Sequence, residues 1–155
     1  MFISVEGIEG CGKSTLVNSL GQYLQERNID YVITKEPGST SKGKIVITDR
    51  YIDSTYAYQG AGRGVSKSII DNLVSQTEIM LPDRTILLDI DPEVGLKRAS
   101  TRNELDRFES ENIVFHKRLR KSFLDAAGTN PDRFITIDAE QEPEKILQSV
   151  INKLF

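Results

Sequence analysis

The sequence predicts an α/β fold of three layers, a mostly parallel five-stranded sheet with helices on both faces. Three observations predict it. Short runs rich in β-branched residues recur five times, each ending on a polar residue, and such runs suit strands buried on both faces. Segments with apolar residues at helical spacing lie between them. A glycine-rich loop joins the first strand to the first helix. Strand and helix therefore alternate, the order that builds a covered parallel sheet.

Phe2 to Glu6 is the first strand, stopped by Gly7, and the helix after the loop carries Leu16, Leu20, Tyr23 and Leu24 on one face. Tyr31 to Thr34, Ile45 to Asp49, Thr85 to Asp89 and Phe134 to Asp138 read as the other strands. Helical stripes fall at Ile69, Ile70, Leu73 and Val74, at Val94 to Ala99, at Ile113 to Leu124, and at Ile146, Leu147, Val150, Ile151 and Leu154. One junction departs from the scheme. Only EPGSTSKG separates the second strand, ending near Lys35, from the third, beginning near Lys44. Parallel neighbours need a crossover of about a dozen or more residues. Either the two strands are antiparallel, or a segment is missing between about Thr40 and Ser41. The second reading is favoured, because SKGK reads as a helix end running into a strand.

At 155 residues, with 38% hydrophobic and 28% charged residues, the composition is that of one globular domain able to bury a continuous core. Twenty basic against 23 acidic residues give a net charge of -3. No general basic field draws in nucleic acid or an anionic membrane, so any anion site must be local. Cys11 is the only cysteine, which forbids an internal disulfide and suits a reducing compartment. The apolar start, MFISV, lacks a basic n-region and is too short for a signal or a membrane span. A cytoplasmic protein is expected.

Gly7-Ile8-Glu9-Gly10-Cys11-Gly12-Lys13-Ser14 fills every fixed position of G-x-x-x-x-G-K-[ST], after a strand and opening a helix. The glycines let successive backbone N–H groups converge on phosphate oxygens, and the helix N-terminus adds partial positive charge. Lys13 brings a full charge to the β and γ phosphates, and Ser14 offers its hydroxyl to Mg²⁺. Gly7, Gly10, Cys11, Gly12, Lys13, Ser14 and Thr15 are thus the expected ATP-binding loop of a P-loop NTPase fold. The third strand ends in Asp49-Arg50-Tyr51, and strand ends in an open parallel sheet point into the binding crevice. A carboxylate there can hold metal-bound water, and an arginine fork can grip a second phosphate. The plain alternative is an ion pair within the loop. Tyr51, Tyr56 and Tyr58 serve packing as readily as stacking.

Taken in order, VEGIEGCGKST, KEPGST, ITDRYIDSTYAYQGAGRG, LPDRTILLDIDPEVGLKR, ELDRFE and ITIDA with a closing helix resemble the bacterial thymidylate kinase family over most of the chain. The resemblance implies transfer of the ATP γ-phosphate to dTMP with Mg²⁺ by a homodimer. It places Glu9 at the deoxyribose 3′-hydroxyl and the metal-water network, Arg50 on the dTMP phosphate and Asp49 at the metal site beside Ser14. Pro37, Ser54, Thr55, Tyr58 and Gln59 line the acceptor, with Tyr58 crowding the place of a ribose 2′-hydroxyl and Arg63 continuing that wall. The family's long stretch between EPG and DRY, which carries a thymine-stacking aromatic and a base-binding arginine, is not in this sequence; Ser39 also stands where a second glycine is usual.

Residues near 98–108 resemble the family's lid over ATP, with Arg98 and Arg107 as ATP-binding candidates and Arg102 the favoured arginine for the transition state, since Gly10 follows Glu9 and the loop supplies none. On charge pattern alone the same stretch is a solvated helix laced with ion pairs. His116, among Lys117, Arg118 and Arg120, is expected at the surface. A regulatory GTPase would show an N-K-x-D guanine reader, where this chain has LDIDPE. A nucleic-acid motor would carry a basic surface. A deoxynucleoside kinase is the nearest rival, and its unphosphorylated acceptor makes less use of Arg50.

Overall fold

The computed structural model describes residues 1–34, 44–77, 79–101, 108 and 110–155. Five strands, β1 (Phe2–Glu6), β2 (Tyr31–Thr34), β3 (Ile45–Asp49), β4 (Arg84–Asp89) and β5 (Phe134–Asp138), form one sheet in the order β2-β3-β1-β4-β5. Every pairing is parallel. β2 and β3 are parallel neighbours, with Tyr31 opposite Ile45 and Thr34 opposite Thr48, so the antiparallel reading of that junction is excluded. The junction itself, with Pro37, Thr40 and Ser41, lies outside the described residues.

Among the described residues six α-helices accompany the sheet: α1 (Lys13–Glu26), α2 (Ile52–Thr55), α3 (Lys67–Gln76), α4 (Pro92–Ser100), α5 (Ile113–Thr129) and α6 (Pro143–Leu154). In α1, Leu16, Leu20 and Leu24 recur every fourth residue, share one face and are buried. α4 and α5 start at side-chain caps, Asp91 accepting from the Glu93 N–H and Asn112 from the Phe115 N–H. The core runs through Ile3, Val5, Ile47, Ile86, Leu87 and Leu88 of the central strands and is closed by residues of α1, α5 and α6.

One stretch was not foreseen as helix. After α2 the chain continues into a π-helical segment, Tyr56–Gly62, a stretch with no helical stripe in the sequence. Its wider coil turns Ala57 and Tyr58 inward, and α5 packs against it. Phe108, Phe115 and Phe123 surround the Tyr58 ring edge-on at 5.1, 6.3 and 6.5 Å.

Candidate active site

β1 ends at the centre of the sheet, and the loop 7–12 leaves its carboxyl end to enter α1. Gly10 and Gly12 have φ of 71° and 92°, a region costly for other residues. Gly10 is also pressed against Gly95 of α4: a Cβ on Gly10 would stand 1.9 Å from the Gly95 carbonyl oxygen, and one on Gly95 would stand 2.6 Å from that of Glu9. The loop therefore rests directly on the α4 backbone. Lys13 folds its ammonium back into the loop, donating to the carbonyls of Gly7 at 3.1 Å and Ile8 at 2.8 Å. A phosphate arriving in the loop offers the same cation a charged acceptor.

Beside the loop lies a cavity of about 250 Å³ lined by Gly10, Gly12, Thr15, Arg98, Gln141 and Pro143. Arg98 forms part of its wall from the last turn of α4, anchored by donation to the carbonyls of Ala139 at 2.7 Å and Glu140 at 3.2 Å. Cys11 is buried at this edge as a small filler. On the other side, Ser14 donates to Asp49 Oδ2 at 2.9 Å. The loop hydroxyl and the carboxylate at the end of β3 thus meet, two hard oxygen donors of the kind Mg²⁺ takes alongside phosphate oxygens and water. Among the described residues no cluster of three or more His, Cys, Asp or Glu could hold a metal by itself.

Arg50 holds φ at +70° without being glycine, an uncommon conformation of the kind that recurs at functional sites. It sends the guanidinium over the loop, where it donates to Gly7 O at 3.1 Å, Ser54 Oγ at 3.4 Å and Glu9 Oε1 at 3.0 Å. The Tyr58 hydroxyl donates to the same Glu9 oxygen. Glu9 is 4% exposed. Burial alone would raise its pKa, but His116, Tyr58, Arg50 and Lys13 outweigh that and hold it at about 2. It is a buried, fixed carboxylate rather than the solvated loop residue that its position in the sequence suggests.

Two groups were missed or misplaced by sequence reasoning. His116 is fully buried, not at the surface, with Nδ1 3.3 Å from Glu9 Oε2. Lys117 and Arg118 beside it are exposed and Arg120 turns to Asp89, while Leu119 and Phe123, three and seven residues on, share its inward stripe. That spacing was the available signal. Glu6, also fully buried, accepts from the Tyr51 N–H at 2.7 Å and the Ser54 hydroxyl at 2.6 Å, clamping the start of α2 to the end of β1. A carboxylate closing an apolar strand was its signal.

Of the remaining candidates, Thr55 is half-buried and Gln59 is exposed. Arg63 pairs with Glu111 at 3.2 Å beside the Phe108 ring. Pro37, Arg102 and Arg107 lie outside the described residues, as does most of the expected lid.

A phosphate-binding loop at the centre of a parallel sheet, a serine–aspartate pair beside it and a second cationic group across it define a P-loop phosphotransferase. The thymidylate kinase profile matches residues 5–45 and 39–150. Thymidylate kinase of Carboxydothermus hydrogenoformans is 35% identical over 192 residues, covering 96% of this chain and 94% of its own, and that of Maridesulfovibrio salexigens is 35% identical over 208 residues, covering 99% and 94%. The crystal structure of thymidylate kinase from Ehrlichia chaffeensis superposes with a TM-score of 0.76 at 30% identity, covering 99% of this chain and 97% of that one. The chain belongs to the thymidylate kinase family.

Proposed function

We infer that this chain transfers the γ-phosphate of ATP to dTMP, giving dTDP. The observation that carries the reading is the placing of Arg50 across the phosphate loop from Lys13, within reach of Glu9 and Ser54. One cation serves the donor phosphates, and a separate guanidinium is free to exchange its internal partners for a second phosphate. The acceptor oxygen belongs to a phosphate already anionic near neutral pH, so the chemistry needs alignment and charge neutralisation more than a general base. Lys13 and the loop N–H groups hold the donor; the cavity edged by Arg98 and Thr15 takes the rest of ATP. Glu9 faces the acceptor sugar, and Ser54, Thr55, Tyr58, Gln59 and Pro37 line the acceptor, with Tyr58 closing the space of a ribose 2′-hydroxyl. Arg102 is the arginine assigned to the moving phosphoryl group, with Arg107 on the bound ATP.

Ser14 and Asp49 would hold Mg²⁺, which would offset charge on the donor phosphates. A homodimer is supported by an apolar face left exposed among the described residues: Ile69 and Leu73 of α3 are 52% and 60% exposed, with Met80 and Leu81 also exposed nearby in the chain. A cytoplasmic location is in keeping with the lone cysteine; among the described residues no helix is long and apolar enough to cross a membrane.

A coupled assay with ATP against dTMP, thymidine, dUMP and UMP tests the reading, with Arg50→Ala alongside. Turnover of dTMP well above the others is expected, and Arg50→Ala should raise the dTMP KM by about tenfold or more, the order of losing a charge-assisted contact, with the ATP KM little changed. Preference for thymidine over dTMP would make the chain a nucleoside kinase instead.

A further inference from the structure

Glu9 has two carboxylate oxygens in different settings. Oε1 receives both the Arg50 guanidinium and the Tyr58 hydroxyl. Oε2 is buried, and among the described residues no well-aligned donor reaches it; His116 Nδ1 stands 3.3 Å from it. A carboxylate held by one oxygen can still swing the other about that anchor. What stands against Oε2 therefore sets the plane of the whole group.

His116 is placed to do this. It lies on α5, whose start is capped by Asn112 and whose face is buried through Phe115, Leu119 and Phe123. One turn further on, Arg120 grips Asp89 at the end of β4 with two bonds of 2.8 and 2.9 Å. The helix is thus fixed to the sheet close to His116, and the imidazole has little room to move. A fully buried imidazole with neither nitrogen well bonded among the described residues is costly unless a charged partner is near. Glu9 is that partner, and a proton on Nδ1 directs the ring toward Oε2.

We propose that His116 is a positioning residue for the transfer reaction, an Nδ1–H donor carried by α5 that fixes Glu9 Oε2 and so orients the carboxylate toward the acceptor nucleotide. The proposal rests on the assignment of Glu9 to the acceptor side. It acts through Glu9 and touches neither phosphate.

His116→Asn and His116→Leu separate donation from packing, because the Asn carboxamide nitrogen stands at the place of Nδ1 whereas Leu fills similar space without a donor. Loss of one partner from a buried charged group predicts a rise of about tenfold or more in the dTMP KM for His116→Leu, with the ATP KM within about twofold, and recovery of most of that loss in His116→Asn. Equal losses in the two variants, parallel changes in both KM values, or no change in either variant would overturn the proposal. A second reading does not depend on activity. His116 is the only histidine, so one imidazole appears in long-range proton–nitrogen correlation spectra of the whole protein. A proton on Nδ1, with nitrogen shifts that move in Glu9→Gln, is expected; an unprotonated Nδ1, or shifts indifferent to Glu9→Gln, would overturn it even if the variants fold poorly. Wild-type protein that fails to phosphorylate dTMP while giving the expected spectra would instead count against the acceptor assignment.

Discussion

Two buried carboxylates three residues apart behave in opposite ways, and their partners decide it. Glu9 meets a guanidinium, a phenol and an imidazole and stays ionised. Among the described residues Glu6 has a hydroxyl and a backbone N–H as its hydrogen-bond donors. Burial raises its pKa to about 7, Asp53 nearby adds to the rise, and the Ser54 and Tyr51 bonds recover only part of it. The sign for stability follows from proton counting. Between the ordinary carboxylate range, about 4.5, and about 7, the folded state holds a proton that the unfolded state has released, so stability falls as pH rises through this window and is level above it. The size is on the order of 3 kcal/mol, from about 1.4 kcal/mol for each tenfold change in proton affinity. Glu6→Gln keeps an acceptor for Tyr51 without the charge, so its stability advantage over wild type should grow from pH 5 to pH 8. Urea titrations at several pH values measure this; a constant difference would mean that Glu6 does not titrate there.

Between elements, the most exacting contact is that of the phosphate loop with α4. Glycine inside a helix costs about 1 kcal/mol relative to alanine, so on propensity alone Gly95→Ala would stabilise α4. The contact argues the other way, because the added Cβ would stand 2.6 Å from the Glu9 carbonyl, a backbone atom of the loop that cannot rotate aside. Steric cost wins, since overpacking costs about 1–3 kcal/mol. Gly95→Ala is expected to lower Tm and raise the ATP KM together, as measured by thermal unfolding and steady-state kinetics; a higher Tm with unchanged KM would show that the loop yields. The pattern of elements was largely legible, because strands buried on both faces leave short unmistakable runs: β1, β2, β3 and β5 fall where the β-branched segments place them and β4 starts one residue earlier. The phosphate loop and the Ser14–Asp49 meeting were legible too. The π-helical segment was not, since its glycines carry the signature of a turn. Nor was the burial of His116, hidden by the cations beside it in sequence although not in space. Which group faces Glu9 depends on the packing of α5 over the sheet, and no local pattern encodes that.

At the scale of the molecule, the order β2-β3-β1-β4-β5 sets the phosphate loop between two neighbours with different tasks. β4, β5 and the segments after them supply Arg98, Ala139 and Gln141 to the cavity beside the loop, while β3 leads into Asp49, Arg50, Ser54 and Tyr58, the side we propose for the acceptor. The proposed acceptor side is therefore the one exposed to any deficit between β2 and β3. Those strands are parallel neighbours, yet the connection from 35 to 44 is shorter than the dozen or so residues that a crossover ordinarily takes. The relatives' matches span 192 and 208 residues against 155 in this chain, and the family profile matches in two pieces that meet at 39–45. We propose that a segment is missing between about Thr40 and Ser41, where the resemblance puts the thymine-stacking aromatic and its arginine. Intact mass spectrometry of the protein purified from its natural source should then exceed 17.4 kDa by at least the mass of about a dozen residues, the shortest usual crossover. The 155-residue chain, expressed alone, should keep its affinity for ATP and bind dTMP more weakly than the longer protein, as read by calorimetry on the two forms. A natural mass of 17.4 kDa would end the missing-segment reading and require the thymine base to be held by residues other than those the family resemblance supplies.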